Sequence, residues 1–193
     1  MDLFERKLEQ LYKVCLVGDG GVGKSAILER FLGKESSQCG YKPTIGTEIA
    51  VKSIFIDEIE LKCQIWDIAG QSHFEFVRAG FYKGSRAVIM VFDLTIPHSL
   101  YHLSKWKNEV MTIVNQTIPL LVVGNKYDLE STLDHEEIES FIETLKQETP
   151  SRSVPLLFTS ALTGYNIKKL FETLGRSILE YNFQELPNLQ VTA

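Results

Sequence analysis

The stretch Gly18-Asp19-Gly20-Gly21-Val22-Gly23-Lys24-Ser25 constrains this chain more tightly than any other. It matches G-x-x-x-x-G-K-[ST]. It stands between an apolar, β-branched run at residues 11–17 and a helical pattern through Ile27, Leu28, Phe31 and Leu32, the context the pattern requires. Glycines let the main chain curl so that successive N–H groups face phosphate oxygens, and the following helix adds its positive end. Gly20, Gly21, Val22, Gly23, Lys24, Ser25 and Ala26 are therefore candidate phosphate-binding residues. Lys24 would place a point charge near the β- and γ-phosphates, and the Ser25 hydroxyl would ligate Mg²⁺. The loop points to a nucleoside triphosphate and leaves the base and the reaction open.

A loop of this kind needs an α/β fold, and the remaining pattern agrees. Short apolar runs alternate with amphipathic stretches, which predicts a mostly parallel sheet. Extended runs at residues 47–56 and 59–65, separated by Asp57-Glu58, read as an antiparallel hairpin. Continuous apolar runs at 87–92, 119–123 and 154–158 read as strands covered on both faces. Helices are predicted over about 100–114, 134–147 and 167–181, and the polar stretch 34–44 as a loop. The chain's 193 residues suit a single domain. A net charge of -5 excludes broad binding to nucleic-acid backbones and gives no attraction to an anionic membrane. The three cysteines, Cys15, Cys39 and Cys63, have neither disulfide-framework nor zinc-site spacing, which suggests a reducing, cytoplasmic setting.

Asn125-Lys126-Tyr127-Asp128 follows the fifth predicted strand, and ligands in such sheets sit at the carboxyl ends of strands. A carboxylate there matches the N1–H and exocyclic amine of guanine, a donor pair adenine lacks. Asp128 is the candidate base reader, with Asn125 and Lys126 shaping the pocket. A polar turn is the plainer reading of the isolated motif. Trp66-Asp67-Ile68-Ala69-Gly70-Gln71 ends the third predicted strand. Asp67 would hold Mg²⁺ through water, the Gly70 N–H would approach a γ-phosphate, and Gln71 would orient the attacking water. The plainer readings are a cap for Asp67 and a surface residue for Gln71. Thr44 could complete the metal shell, or be an ordinary turn threonine.

The ordered set resembles the Ras superfamily of small GTPases, most closely its Rab branch, over roughly residues 12–181. The motifs are Gly18 to Ser25, Thr44, Asp67 to Gln71, Asn125 to Asp128, and Thr159-Ser160-Ala161. Rab-like details are Thr44-Ile45-Gly46, Trp66 before Asp67, Phe81-Tyr82-Lys83-Gly84, Trp106, and Thr163-Gly164-Tyr165-Asn166-Ile167 ahead of Leu170-Phe171. The resemblance implies a six-stranded sheet with one antiparallel edge strand and five flanking helices. It implies slow GTP hydrolysis to GDP, with Gln71, Lys24 and Thr44 as catalytic residues. Ser160, Ala161 and Leu162 would join the nucleotide contacts. Switch I (about 34–48) and switch II (about 68–84) would be held by Mg²⁺ and γ-phosphate and released on hydrolysis. Effectors of the GTP state, an exchange factor and a GTPase-activating protein are the implied partners, in vesicle traffic or related signalling, and the chain is expected to be a monomer.

Departures from the family pattern are equally specific. Ser37 stands where an aromatic usually stacks on guanine, and Leu162 replaces the lysine that covers the base's other side. Faster GDP release than in typical relatives is the expectation. Ser72 replaces a glutamate after Gln71, and Ile49 is the odd member of the surface set Ile49, Trp66 and Phe81. Residues 1–10 are expected to be an extension, 11–182 the domain and 183–193 a tail. Leu3, Phe4, Leu8 and Leu11 recur at helical spacing, and a packed extension is favoured over a membrane helix because the segment is not basic. The tail holds no cysteine to prenylate, so the chain works without that anchor or is part of a longer protein. A non-cycling nucleotide-binding scaffold and an ATP-using kinase are the alternative functions.

Overall fold

The computed structural model describes residues 11–34, 44–71, 75–114, 117–149 and 154–184. Leu3, Phe4, Leu8, Ser37, Cys39, Ser72 and the end of the tail lie outside the described residues. Among the described residues six strands form one sheet: β1 (Tyr12–Val17), β2 (Thr47–Ile56), β3 (Ile59–Ile68), β4 (Ala87–Asp93), β5 (Leu120–Asn125) and β6 (Leu156–Phe158). Their order is β2-β3-β1-β4-β5-β6, with β2 antiparallel to β3 and every other pair parallel. The β2–β3 connection turns at Asp57, whose positive φ of 53° is tolerated by aspartate in tight hairpins.

Alternation along the strands builds two cores. Val14, Leu16, Ile89, Val91, Leu121 and Val123 face one side, against α1 (Lys24–Phe31) and α6 (Ile167–Gln184). Cys15, Val17, Val88, Met90, Phe92 and Val122 face the other, against α2 (Glu75–Tyr82), α4 (Leu103–Val114) and α5 (His135–Gln147). Each central strand is buried on both faces, which is why its sequence reads as an unbroken apolar run. Leu103, Trp106, Lys107 and Val110 give α4 the buried stripe of an amphipathic helix.

The helix expected from residue 100 begins earlier. A short α3 (Pro97–Tyr101) precedes α4, with Pro97 at its first position, where the missing N–H costs nothing. His102 N donates to His98 O and Trp106 N to His102 O, so α3 and α4 run as one body and, among the described residues, five helical bodies flank the sheet. Asn125 is also not in a turn after β5 but is its last, buried residue, in register with Asp93. β6 is shorter than expected, beginning only after Pro155. Among the described residues no helix is long and apolar enough to cross a membrane.

Candidate nucleotide site

The β1–α1 loop closes over the end of the sheet. Gly23 caps α1 at φ 100°, and a Cβ there would lie 2.2 Å from Asn125 Nδ2, so the loop and β5 meet where only glycine fits. Asn125 Nδ2 donates to Val22 O at 2.9 Å. Lys24 is buried and curls back, with Nζ donating to Gly18 O and Asp19 O at 2.7 Å each. Burial pushes its ammonium down to about 8, against the opposing pull of the Asp67 and Asp19 carboxylates. An anion at the loop would favour the charged form.

Three segments distant in sequence converge beside Lys24. Ser25 Oγ donates to Asp67 Oδ2 at 2.5 Å, Thr44 Oγ1 lies 2.8 Å from Ser25 Oγ, and Thr44 Oγ1 also reaches Asp67 Oδ2 at 3.4 Å. Asp67 is fully buried, and its Oδ1 has no hydrogen-bond partner among the described residues. Burial pushes its carboxyl up, opposed by the Ser25 hydroxyl and the Lys24 ammonium. Two hydroxyls and a half-satisfied buried carboxylate form a donor set of hard oxygens, suited to a small divalent cation.

The end of β3 lies on the phosphate loop. A Cβ on Gly70 would fall 2.4 Å from Gly18 O and Asp19 C and 2.5 Å from Gly20 N, so main chain rests on main chain there. Gln71 follows, with its Oε1 buried and without a hydrogen-bond partner among the described residues. The Gln71 carbonyl accepts from Arg78 Nη1 at 2.9 Å.

At the other rim, Asn125 Oδ1 accepts from Thr159 Oγ1 at 3.1 Å and from Ala161 N at 3.2 Å. Ser160 Oγ donates to Asp128 Oδ1 at 2.5 Å, and Asp128 is itself exposed. Lys126 has φ 67° and pairs with Asp93 Oδ2 at 2.6 Å. Leu162 stands 60 % exposed beside them. The residues singled out in the sequence thus gather at one end of the sheet in two groups, one around Lys24 and one around Asp128, joined by Asn125.

Several residues of the site carried no motif. Asp93 was findable as an acid ending a buried strand; it holds Lys126 while its Oδ1 accepts from Thr95 N and Oγ1 at 2.9 and 2.7 Å. Arg78, at 2 % exposure, grips Glu109 through Nε at 2.8 Å and Nη2 at 2.9 Å and lies 4.4 Å above the Trp106 ring. Tyr82 O–H donates to Glu109 Oε1 at 2.9 Å. Trp106 Nε1 donates to Asp19 Oδ1 at 2.9 Å, and His102 Nδ1 lies 2.7 Å from Asp19 Oδ2. A cleft of about 390 Å³ opens here, lined by Asp19, Gly20, Gly70, Arg78, His102 and Trp106 among others. On the adjoining surface Ile49 is exposed, and Trp66 packs toward Phe81 at 6.1 Å under the Lys13 ammonium.

Comparison with known proteins agrees with this geometry. The model of the Ras family matches residues 13–180. Ras-related protein Rab-11C of Dictyostelium discoideum is 37 % identical over 88 % of this chain and 73 % of its own length. Ras-related protein RABA5c of Arabidopsis thaliana is 36 % identical over 90 % of this chain and 78 % of its own. GTP-binding protein YPT1 of Saccharomyces cerevisiae is 34 % identical over 92 % of this chain and 83 % of its own. With a glycine loop after β1, an opposed rim around Asp128 and this similarity spanning nearly the whole domain, the chain belongs to the Ras family, as a small GTPase of its Rab branch.

Proposed function

We propose that this chain is a Mg²⁺-dependent guanine-nucleotide switch that hydrolyses GTP to GDP and phosphate and binds effectors in its GTP form. The observation that carries the reading is the meeting of Ser25, Thr44 and Asp67 beside the buried ammonium of Lys24. Main-chain N–H groups of residues 20–26, with Lys24, hold the phosphates. Ser25 and Thr44, with Asp67 through water, would hold the cation, which would supply charge neutralisation at the phosphates. Gln71 orients the attacking water, and Gly70 N–H and Thr44 sense whether a γ-phosphate is present. Asp128 selects guanine, with Asn125, Lys126, Ser160, Ala161 and Leu162 around the base.

We further assign the domain to residues 11–182, flanked by an extension and a tail. Its work is assigned to vesicle traffic or related signalling, as a cytoplasmic monomer recruited to membrane surfaces through partners, with an exchange factor and a GTPase-activating protein as regulators. The names of its relatives, Ras-related and GTP-binding proteins, support a GTP-binding switch, and the exposed Ile49 beside Trp66 and Phe81 leaves a surface for an effector.

Competition binding of GTP against ATP, with and without EDTA, tests the site, and single-turnover phosphate release tests the cycle. GTP must win over ATP, and EDTA must accelerate release. Binding that ignores base and metal alike would overturn the reading, and tight GTP binding without phosphate release would make the chain a scaffold.

A further inference from the structure

Three aromatic rings stack beside the base-side rim. Tyr127 lies between Lys126 and Asp128, and its ring faces Tyr165 at 5.2 Å and 13° and Phe158 at 5.7 Å and 22°. Near-parallel rings at these separations are offset stacks, a favoured aromatic arrangement. The rings come from separate segments. Tyr127 belongs to the turn that presents Asp128. Phe158 ends β6, and Tyr165 closes the loop that carries Ser160 and Ala161.

The main chain shares the same seam. Tyr127 N donates to Thr159 O at 3.0 Å, Ser160 N to Tyr165 O at 3.1 Å, and Gly164 N to Ser160 O at 2.8 Å. Asn166 Nδ2 anchors the loop to Phe158 O at 2.9 Å. Tyr127 is 53 % exposed and Tyr165 49 %, and each ring packs against a ring of the other loop. Asp128 is exposed, and Ser160, across the seam, donates a hydrogen bond to it. Its aim at a base depends on the two loops keeping their separation.

We infer that the Tyr127–Tyr165 stack, backed by Phe158, is a positioning element for base recognition that locks the Asp128 turn to the Ser160 loop. The inference rests on the guanine reading above. It supplies rigidity at a rim where Leu162 stands in place of a lysine. Tyr127 and Tyr165 are positioning residues and touch no substrate in this role.

The test is release of a fluorescent GDP from full-length protein, together with the preference for GDP over IDP. Inosine lacks the exocyclic amine that Asp128 would read, so this preference reports the aim of that carboxylate. Tyr127→Ala and Tyr165→Ala are each expected to speed release by roughly 2- to 10-fold and to narrow the GDP preference by a similar factor. The double variant should add little to either single change, because the second ring has already lost its partner. Tyr127→Phe and Tyr165→Phe should behave as wild type, since the ring carries the effect. Unchanged release and base preference in both alanine variants, even with lowered melting temperatures, overturns the inference. So do phenylalanine variants that behave like alanine. An Asp128→Ala variant that keeps wild-type base preference would instead sink the guanine reading beneath it.

Discussion

Replacing Arg78 with methionine removes the ion pair that fastens α2 to α4, together with the Nη1 hydrogen bond to the Gln71 carbonyl. The guanidinium is buried, charged and bound at both ends of its fork to Glu109. Burial by itself would lower its pKa, but the Glu109 carboxylate outweighs burial and raises it. Methionine keeps much of the length and the packing on Trp106 and removes the charge. Glu109, with its side chain 16 % exposed, would then be left with the Tyr82 hydroxyl alone. Breaking one side of a buried pair costs about 3–5 kcal/mol, and the remaining exposure of Glu109 places this case near the lower end, about 3 kcal/mol. In a domain of this size each kcal/mol moves the melting temperature by about 2–4 °C, so a drop of roughly 6–12 °C is expected. Calorimetry on Arg78→Met and on Arg78→Met/Glu109→Leu checks this. The double variant should recover part of the loss, because two apolar side chains replace the pair without stranding a charge, while the Gln71 carbonyl and the Tyr82 hydroxyl still lose their partners. A single variant within about 1 kcal/mol of wild type, or a double variant no better than the single, would refute the reasoning.

Other expectations follow from close contacts. Gly70→Ala forces a Cβ into the phosphate-loop main chain, so single-turnover GTP hydrolysis should fall by up to roughly 100-fold while GDP retention changes far less. Asn125→Ala strands Val22 O, Thr159 Oγ1 and Ala161 N, at about 1–3 kcal/mol for each buried group left unpaired. It should therefore both lower the melting temperature and speed GDP release in stopped-flow traces. The buried Cys63 thiol is pushed up to about 12, so iodoacetamide at pH 8 should leave it unlabelled in native protein and label it on unfolding, as read by mass spectrometry. Because the folded value is the raised one, the stability it contributes is intact below pH 9 and is lost as pH climbs from 9 toward 12. A Cys63→Ala variant should lose less stability over that window.

What was legible in the sequence was local. The phosphate loop, the hairpin at Asp57-Glu58 and the buried strands each announce themselves within a few residues. So do Asp67 and Asn125, because motif residues sit at fixed offsets from a strand end. The partners of those residues were not legible. Arg78 and Glu109 are 31 positions apart, and no spacing rule joins a helix residue to another helix across a sheet face. Lys126 gave no sign that its ammonium would rest on Asp93. Tyr127 read as an unspecified position between two polar ones, although its ring holds the turn. Pro97 signalled a helix start that apolar periodicity alone placed three residues later. Periodicity reports which face is covered, whereas polar pairing depends on which covered faces meet.

The Asn125 side chain gives the ligand cradle the mechanics of a hinge with one pin. Its amide holds Val22 on one side and Thr159 with Ala161 on the other. Displacing either rim outward therefore pulls the same pin and loosens the other rim with it.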